Sequence, residues 1–166
     1  MIQRYKNDTP KRKRWFVPDA MFHPAKGHIS MWEEMVLRYS TEGDVILDPM
    51  AGTGTTMVAA LMGRNVVCLE LEHHFLLPMA RSWAKMRQHP MLDFETGQPQ
   101  VIGQVQTLWG DARHLGEAQP WPYQELALRF PKDAWETLKA RRRKFRLPLV
   151  RRSWPLESAD VILTSP

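Results

Sequence analysis

The chain is expected to fold as an α/β domain, and three observations carry that expectation. First, Asp44-Val45-Ile46-Leu47 is a short apolar run with strand character, and Met57, Val58, Ala60 and Leu61 behind it are apolar at roughly helical spacing. The nine residues between, Asp48-Pro49-Met50-Ala51-Gly52-Thr53-Gly54-Thr55-Thr56, form a tight glycine turn into a helix start. Second, strand-like runs recur at 65–70, within 101–109 and at 160–163. Third, helical stripes flank the strands: Trp32, Met35, Val36 and Tyr39 before the first, and Phe75, Leu76, Met79, Trp83 and Met86 after the second.

With 166 residues, 43% hydrophobic and 25% charged, the chain can bury a real core. No run of about 18 apolar residues predicts a membrane span, and the polar start is unlike a signal peptide. Cys68 is the single cysteine, so a reducing cytoplasm is expected, with Cys68 as a small buried hydrophobe. The net charge of +5 is unevenly spread. Residues 1–18 hold six basic side chains and one acid, residues 137–156 hold eight and none, and the body between is mildly acidic. Two basic arms on an acidic body suit a nucleic-acid partner; the plainer alternative is a pair of solvated loops.

Taken in order, residues 1–22 are expected as an extended basic arm. There Lys11, Arg12, Lys13 and Arg14 precede Trp15 and Phe16, which either stack on a base or anchor the arm to the body. Ser30 and Glu33 stand at capping-box spacing for a helix that stops near Gly43. Residues 73–88 are expected to be helical, starting nearer Leu77 because Pro78 lies deep for a first turn. His73 and His74 lack metal-ligand spacing and are expected on the surface; no metal site is predicted. Residues 89–103 should be loop. Residues 117–157 spread aromatic side chains among prolines and a basic run, Arg141, Arg142, Arg143, Lys144, Arg146, Arg151 and Arg152, expected to contact nucleic acid.

The turn at 48–56 lacks the Lys of a P-loop, and Met57 stands where a dinucleotide fingerprint has its third glycine. Its order, Asp-Pro-x-Ala-Gly-x-Gly-Thr-Thr, resembles motif I of the S-adenosylmethionine (SAM) dependent DNA amino-methyltransferases, which make N4-methylcytosine or N6-methyladenine. That resemblance implies a Rossmann-like, doubly wound, mostly parallel sheet with strand order 3-2-1-4, entered here only as far as its fourth strand. It implies a SAM site lined by Asp48, Pro49, Met50, Ala51, Gly52, Gly54, Thr55 and Thr56, with Met50 where the family usually carries Phe. His23-Pro24-Ala25-Lys26 is similar to motif X, which lies against the methionine end of the cofactor; His23 and Lys26 are its candidates, Lys26 for the carboxylate. Glu70, at the end of the second strand, is placed for the ribose hydroxyls, with Glu72 as runner-up. Asp111, followed by Ala112, is placed for the adenine amino group, and an ordinary helix cap is compatible with that role. The closing Thr164-Ser165-Pro166 matches the first half of the catalytic motif IV and leans toward N4-cytosine.

The organisation expected is thus a basic arm at 1–22, a SAM-binding core at 23–116, a basic and aromatic insertion at 117–157, and a fourth strand opening the catalytic motif at 158–166. The expected function is methyl transfer from SAM to the exocyclic amine of a DNA base, as in restriction-modification. Ser165 and the Pro166 carbonyl would accept the amine hydrogens. The chain by itself is expected to be inactive, a split subunit or a truncation needing a second polypeptide. The alternatives are an RNA or protein amino-methyltransferase and a non-catalytic SAM- or nucleic-acid-binding subunit.

Overall fold

A computed structural model describes residues 5–88, 102–121 and 160–163. Its elements in order are α1 (Thr9–Trp15), a 3-10 turn (Pro18–Phe22), α2 (Ile29–Tyr39), β1 (Val45–Asp48), a 3-10 segment (Thr55–Met62), β2 (Asn65–Glu70), α3 (His73–Arg87), β3 (Val105–Trp109), a 3-10 segment (Ala112–Glu117), β4 (Gln119–Pro120) and β5 (Val161–Ile162). The strands form one sheet in the order β4-β3-β2-β1-β5. β1 pairs in parallel with β2 and β5, β2 pairs in parallel with β3, and only the short β4 runs antiparallel. The expected 3-2-1-4 order is therefore present, with β5 as its fourth strand and β4 as an additional edge. The chain moves from β1 out to β3 and then returns to the other side of β1. In open α/β sheets the ligand crevice lies at such a reversal, outside the carboxyl ends of the strands.

The strands alternate between two clusters, as a period of two requires. Ile46, Val66, Cys68 and Val105 face a large core built with Trp15, Phe16, Trp32, Val36, Met57, Leu76, Met79 and Trp83. Leu47, Val67, Leu69 and Leu108 face a smaller one, against which Ala112, Leu115 and Ala118 pack. Cys68 is fully buried, and burial among Asp48 and Glu70 pushes its thiol well above the usual value. Among the described residues no helix is long and apolar enough to cross a membrane.

Four local expectations change. The segment expected as an extended arm is folded: α1 packs on α3, and Trp15 and Phe16 are core residues, their anchoring alternative. Ser30 and Glu33 form no capping box, because α2 starts one residue earlier. His28 caps it through Nδ1, accepting from Ser30 N at 3.2 Å, and Glu33 instead pairs with Lys11. α3 begins at His73 and carries Pro78 inside it. A proline there lacks the N–H that would reach the His74 carbonyl and crowds that carbonyl with its ring, and burial of Leu76, Met79, Trp83 and Met86 outweighs both costs. The segment after the glycine turn is 3-10 in form, between left-handed glycines at 54 and 63.

Candidate functional site

At the end of β1 the chain must leave the sheet, turn and enter the 55–62 segment beneath α2. Gly54 makes that turn at φ +80°, where a side chain is strained. A Cβ there would also lie 2.7 Å from Met79 Cγ and 2.8 Å from Met57 Cε. Gly54 therefore permits close internal packing, in place of the ligand approach expected of it. Asp48 sits under the turn, fully buried; it accepts from the Thr56 hydroxyl and, at 3.1 Å, from Met50 N. Burial raises its carboxyl to about 6, opposed by those two hydrogen bonds and reinforced by the charge of Glu70. Asp48 and Thr56, expected as cofactor contacts, hold each other and set the turn. Ala51 is buried in the core, Pro49 is half-buried, and Met50 is 55% exposed.

Glu70 closes the turn from the neighbouring strand. Its two oxygens accept from Gly52 N at 2.7 Å and from Glu72 N at 2.8 Å. Parallel pairing of Asp48 with Cys68 fixes this reach, because it leaves Glu70 two residues beyond the end of β1. Glu72 points outward beside His74, so of the two candidate acids only Glu70 meets the glycine turn.

Residues 5–28 form the outer wall. His23 Nδ1 donates to the Ala25 carbonyl, which requires the proton on Nδ1 and leaves Nε2 toward Gly52. A Cβ on Gly52 would lie 3.0 Å from that Nε2, and the ring packs edge-on against Phe75 at 4.4 Å. Thr53 donates to the Ala20 carbonyl at 3.2 Å. Lys26, expected to present its ammonium to a carboxylate, donates instead to the His23 carbonyl within its own turn. Arg12, expected on the nucleic-acid surface, is 4% exposed, which removes it from any surface contact. Its guanidinium bonds Asp8 at 2.8 Å, the Gly27 carbonyl at 2.5 Å and the Thr55 hydroxyl at 3.3 Å. Lys11 is engaged with Glu33 and Ser30. Lys13 and Arg14 remain exposed, with the Arg14 guanidinium 4.5 Å above the Trp15 ring.

The end of β3 is open. Asp111 caps the 112–117 segment through Arg113 N at 2.9 Å, and its carboxylate is gripped by the Arg113 guanidinium at 2.5–3.0 Å. The Arg113 side chain and backbone N–H hold that carboxyl well below the usual range. Ala112 packs toward the smaller core. Trp109 is 40% exposed, donates to the Leu71 carbonyl at 3.0 Å and packs tilted against the His73 ring at 4.4 Å. Leu71 and Met50 are likewise exposed apolar residues just beyond the carboxyl ends of β2 and β1.

The structure thus brings His23, Gly52, Gly54, Thr55 and Glu70 together, and sets Asp111 beside them at the end of the next strand but one from β1. Arg141, Arg142, Arg143, Lys144, Arg146, Arg151, Arg152, Ser165 and Pro166 lie outside the described residues. Sequence reasoning missed Asp8, the structural use of Arg12, and the Trp109–Leu71 pair. The spacing of four between Asp8 and Arg12 was the available signal.

The site is thus an acid-bearing glycine turn at the reversal point of an α/β sheet, closed by a second acid from the neighbouring strand. Residues 2–81 match the family model described as DNA methylase. It is 52% identical over 42 residues to the type II methyltransferase M.MthZI of Methanothermobacter thermautotrophicus, covering 25% of this chain and 12% of that protein. It is 36% identical over 69 residues to the type II methyltransferase M2.DpnII of Streptococcus pneumoniae, covering 41% of this chain and 24% of that protein. These matches span a quarter or less of each relative's length.

Proposed function

We propose that this chain binds SAM at the carboxyl ends of β1, β2 and β3 and serves methyl transfer to the exocyclic amine of a DNA base, N4 of cytosine ahead of N6 of adenine. The carrying observation is the network joining Asp48, the glycine turn and Glu70. It leaves a shaped, preorganised polar edge at the sheet's reversal point. The donor set fits the cofactor. A carboxylate has about four acceptor positions, so Glu70 keeps two for ribose hydroxyls after its two N–H contacts. Asp111 offers acceptors for an adenine amino group, and Met50, Leu71 and Trp109 offer the apolar surface a purine needs. SAM supplies a methyl group activated by its sulfonium charge. The chain's own residues orient it: Glu70 and Asp111 at the nucleoside, the glycine turn and His23 at the methionine end. Ser165 and Pro166 belong to the reading as acceptors for the base amine, and the basic run at 141–152 as its phosphate contact.

Calorimetry with SAM tests the reading on the full chain. Glu70→Gln keeps the volume and removes the charge. It should weaken binding by roughly 10- to 100-fold, the range for a hydrogen bond to a charged group. Mass spectrometry of digested duplex DNA, after incubation with labelled SAM and the chain supplied with a polypeptide carrying the rest of the catalytic motif, identifies the methylated base. A folded chain that binds no SAM overturns the proposal.

A further inference from the structure

The N-terminal segment was expected to meet nucleic acid, and its charges are instead turned inward. Arg12 lies on α1, 43 residues before the Thr55 hydroxyl it touches. The same guanidinium holds the carbonyl of Gly27, where the 23–27 turn leads into α2. Asp8 completes the cluster: one of its oxygens accepts both from Arg12 and from Ile29 N, the first residue of α2, at 3.0 Å. Upstream, His28 Nε2 meets the Lys6 carbonyl at 2.7 Å, Tyr5 stacks on the His28 ring at 5.1 Å, and the Tyr5 hydroxyl donates to Glu34. Gly27 leaves no room for a side chain, since a Cβ on it would lie 2.1 Å from Trp32 Nε1.

The 23–28 loop is therefore pinned at both ends against the glycine turn. At one end the His23 ring lies against Gly52. At the other, Arg12 bridges Gly27 to Thr55. A charged group buried to 4% exposure is costly unless each contact is satisfied. A purely apolar contact would hold α1 on the body equally well. What the guanidinium adds is a fixed separation between a carbonyl and a hydroxyl on two different loops, which its planar, forked donors impose.

The geometry points to Arg12 as a positioning residue for the cofactor: it acts through Gly27 and Thr55 to set the spacing between the 23–28 loop and the glycine turn. This rests on the SAM reading above. It converts the N-terminal segment from a nucleic-acid arm into a wall of the cofactor site. Asp8 assists by orienting the guanidinium and capping α2 with the same carboxylate.

The test separates a spacing role at the glycine turn from ordinary structural support. SAM affinity and thermal midpoint are measured for the full chain and for Arg12→Met, Arg12→Lys, Thr55→Val and the Arg12→Met/Thr55→Val double variant. Arg12→Met should weaken SAM by about 5- to 30-fold, a range set by losing hydrogen bonds to a charged donor. Arg12→Lys keeps the charge and can pair with Asp8, but one ammonium cannot span both loops. It should recover the melting temperature and leave most of the affinity loss. The affinity losses of Arg12→Met and Thr55→Val should not add, because both cut the same bridge. Additive losses, or Arg12 variants that melt lower yet bind SAM as tightly as the unsubstituted chain, overturn the positioning role while leaving the cofactor reading intact. If Arg12→Met does not fold, the Arg12→Lys and Thr55→Val pair decides the same question. An unsubstituted chain that binds no SAM overturns both proposals.

Discussion

At the carboxyl ends of β1 and β2, Asp48 and Glu70 are 0% and 8% exposed, and both are occupied with backbone N–H groups of the turn they adjoin. At the carboxyl end of β3, Asp111 is partly open to water and is held by Arg113, whose side chain is 82% exposed. Acidic residues at the same edge of one sheet thus do two jobs. The first two acids build a rigid floor from inside. The third stands ready at the surface, with a partner that can move away. Buried polar contacts lose heavily when broken, whereas an exposed pair is screened and exchanges readily with solvent. On the proposed reading, the methionine and ribose side of the site is assembled before any ligand arrives. The adenine side is adjusted on arrival.

The largest test of that contrast compares two glycines. Gly54→Ala places a side chain at φ +80° and drives it into Met57 and Met79. Strain and overpacking together should cost about 2–5 kcal/mol, read from urea midpoints. Gly116→Ala, in the 112–117 segment with nothing within 4 Å of the new methyl, should change stability by no more than about 0.5 kcal/mol. Equal costs would remove the distinction between a packed turn and an open one.

A pH titration should show the next largest effect. Burial raises the Asp48 carboxyl from 3.8 to about 6, so the folded state holds this proton more tightly than the unfolded chain. Its contribution to stability is complete below about pH 4 and is lost as pH rises toward 6, by on the order of 3 kcal/mol. Asp48→Asn carries no such proton. The stability of that variant relative to the unsubstituted chain should therefore improve between pH 4 and pH 7. A difference that stays flat over this window would show that Asp48 titrates as a solvated acid.

The smallest effect is expected at the open end. Arg113→Ala should leave the urea midpoint where it is, because the side chain it removes is mostly in water. SAM affinity should rise by about two- to five-fold, since the Asp111 acceptors no longer have to exchange partners. A loss of affinity would instead make Arg113 part of the binding surface and sharpen the description of that side.

Much of this was legible without coordinates. The strand and glycine turn, the acids at 48, 70 and 111, and the order of the four main strands all follow from local pattern and from the motif order of the resembled family. The antiparallel β4 was not legible, because two residues, one of them proline, carry no periodicity. The fate of the basic residues was not legible either. Lys11-Arg12-Lys13-Arg14 reads as one charge run, yet the 100° step of a helix sends Arg12 inward to Asp8, Gly27 and Thr55 while Lys13 and Arg14 face water.

By itself, then, the sequence determined which chemical groups are present at the strand ends and the turn that gathers them, since those depend on residues adjacent in the chain. Only the tertiary structure decided which of those groups are spent on holding the site and which are left facing outward. Asp48 is consumed by Thr56 and Met50, Lys26 by the His23 carbonyl, and Arg12 by two loops, 15 and 43 residues away. The physical reason is that a polar group's use depends on which partners reach it as water is excluded, and packing between distant segments sets those partners.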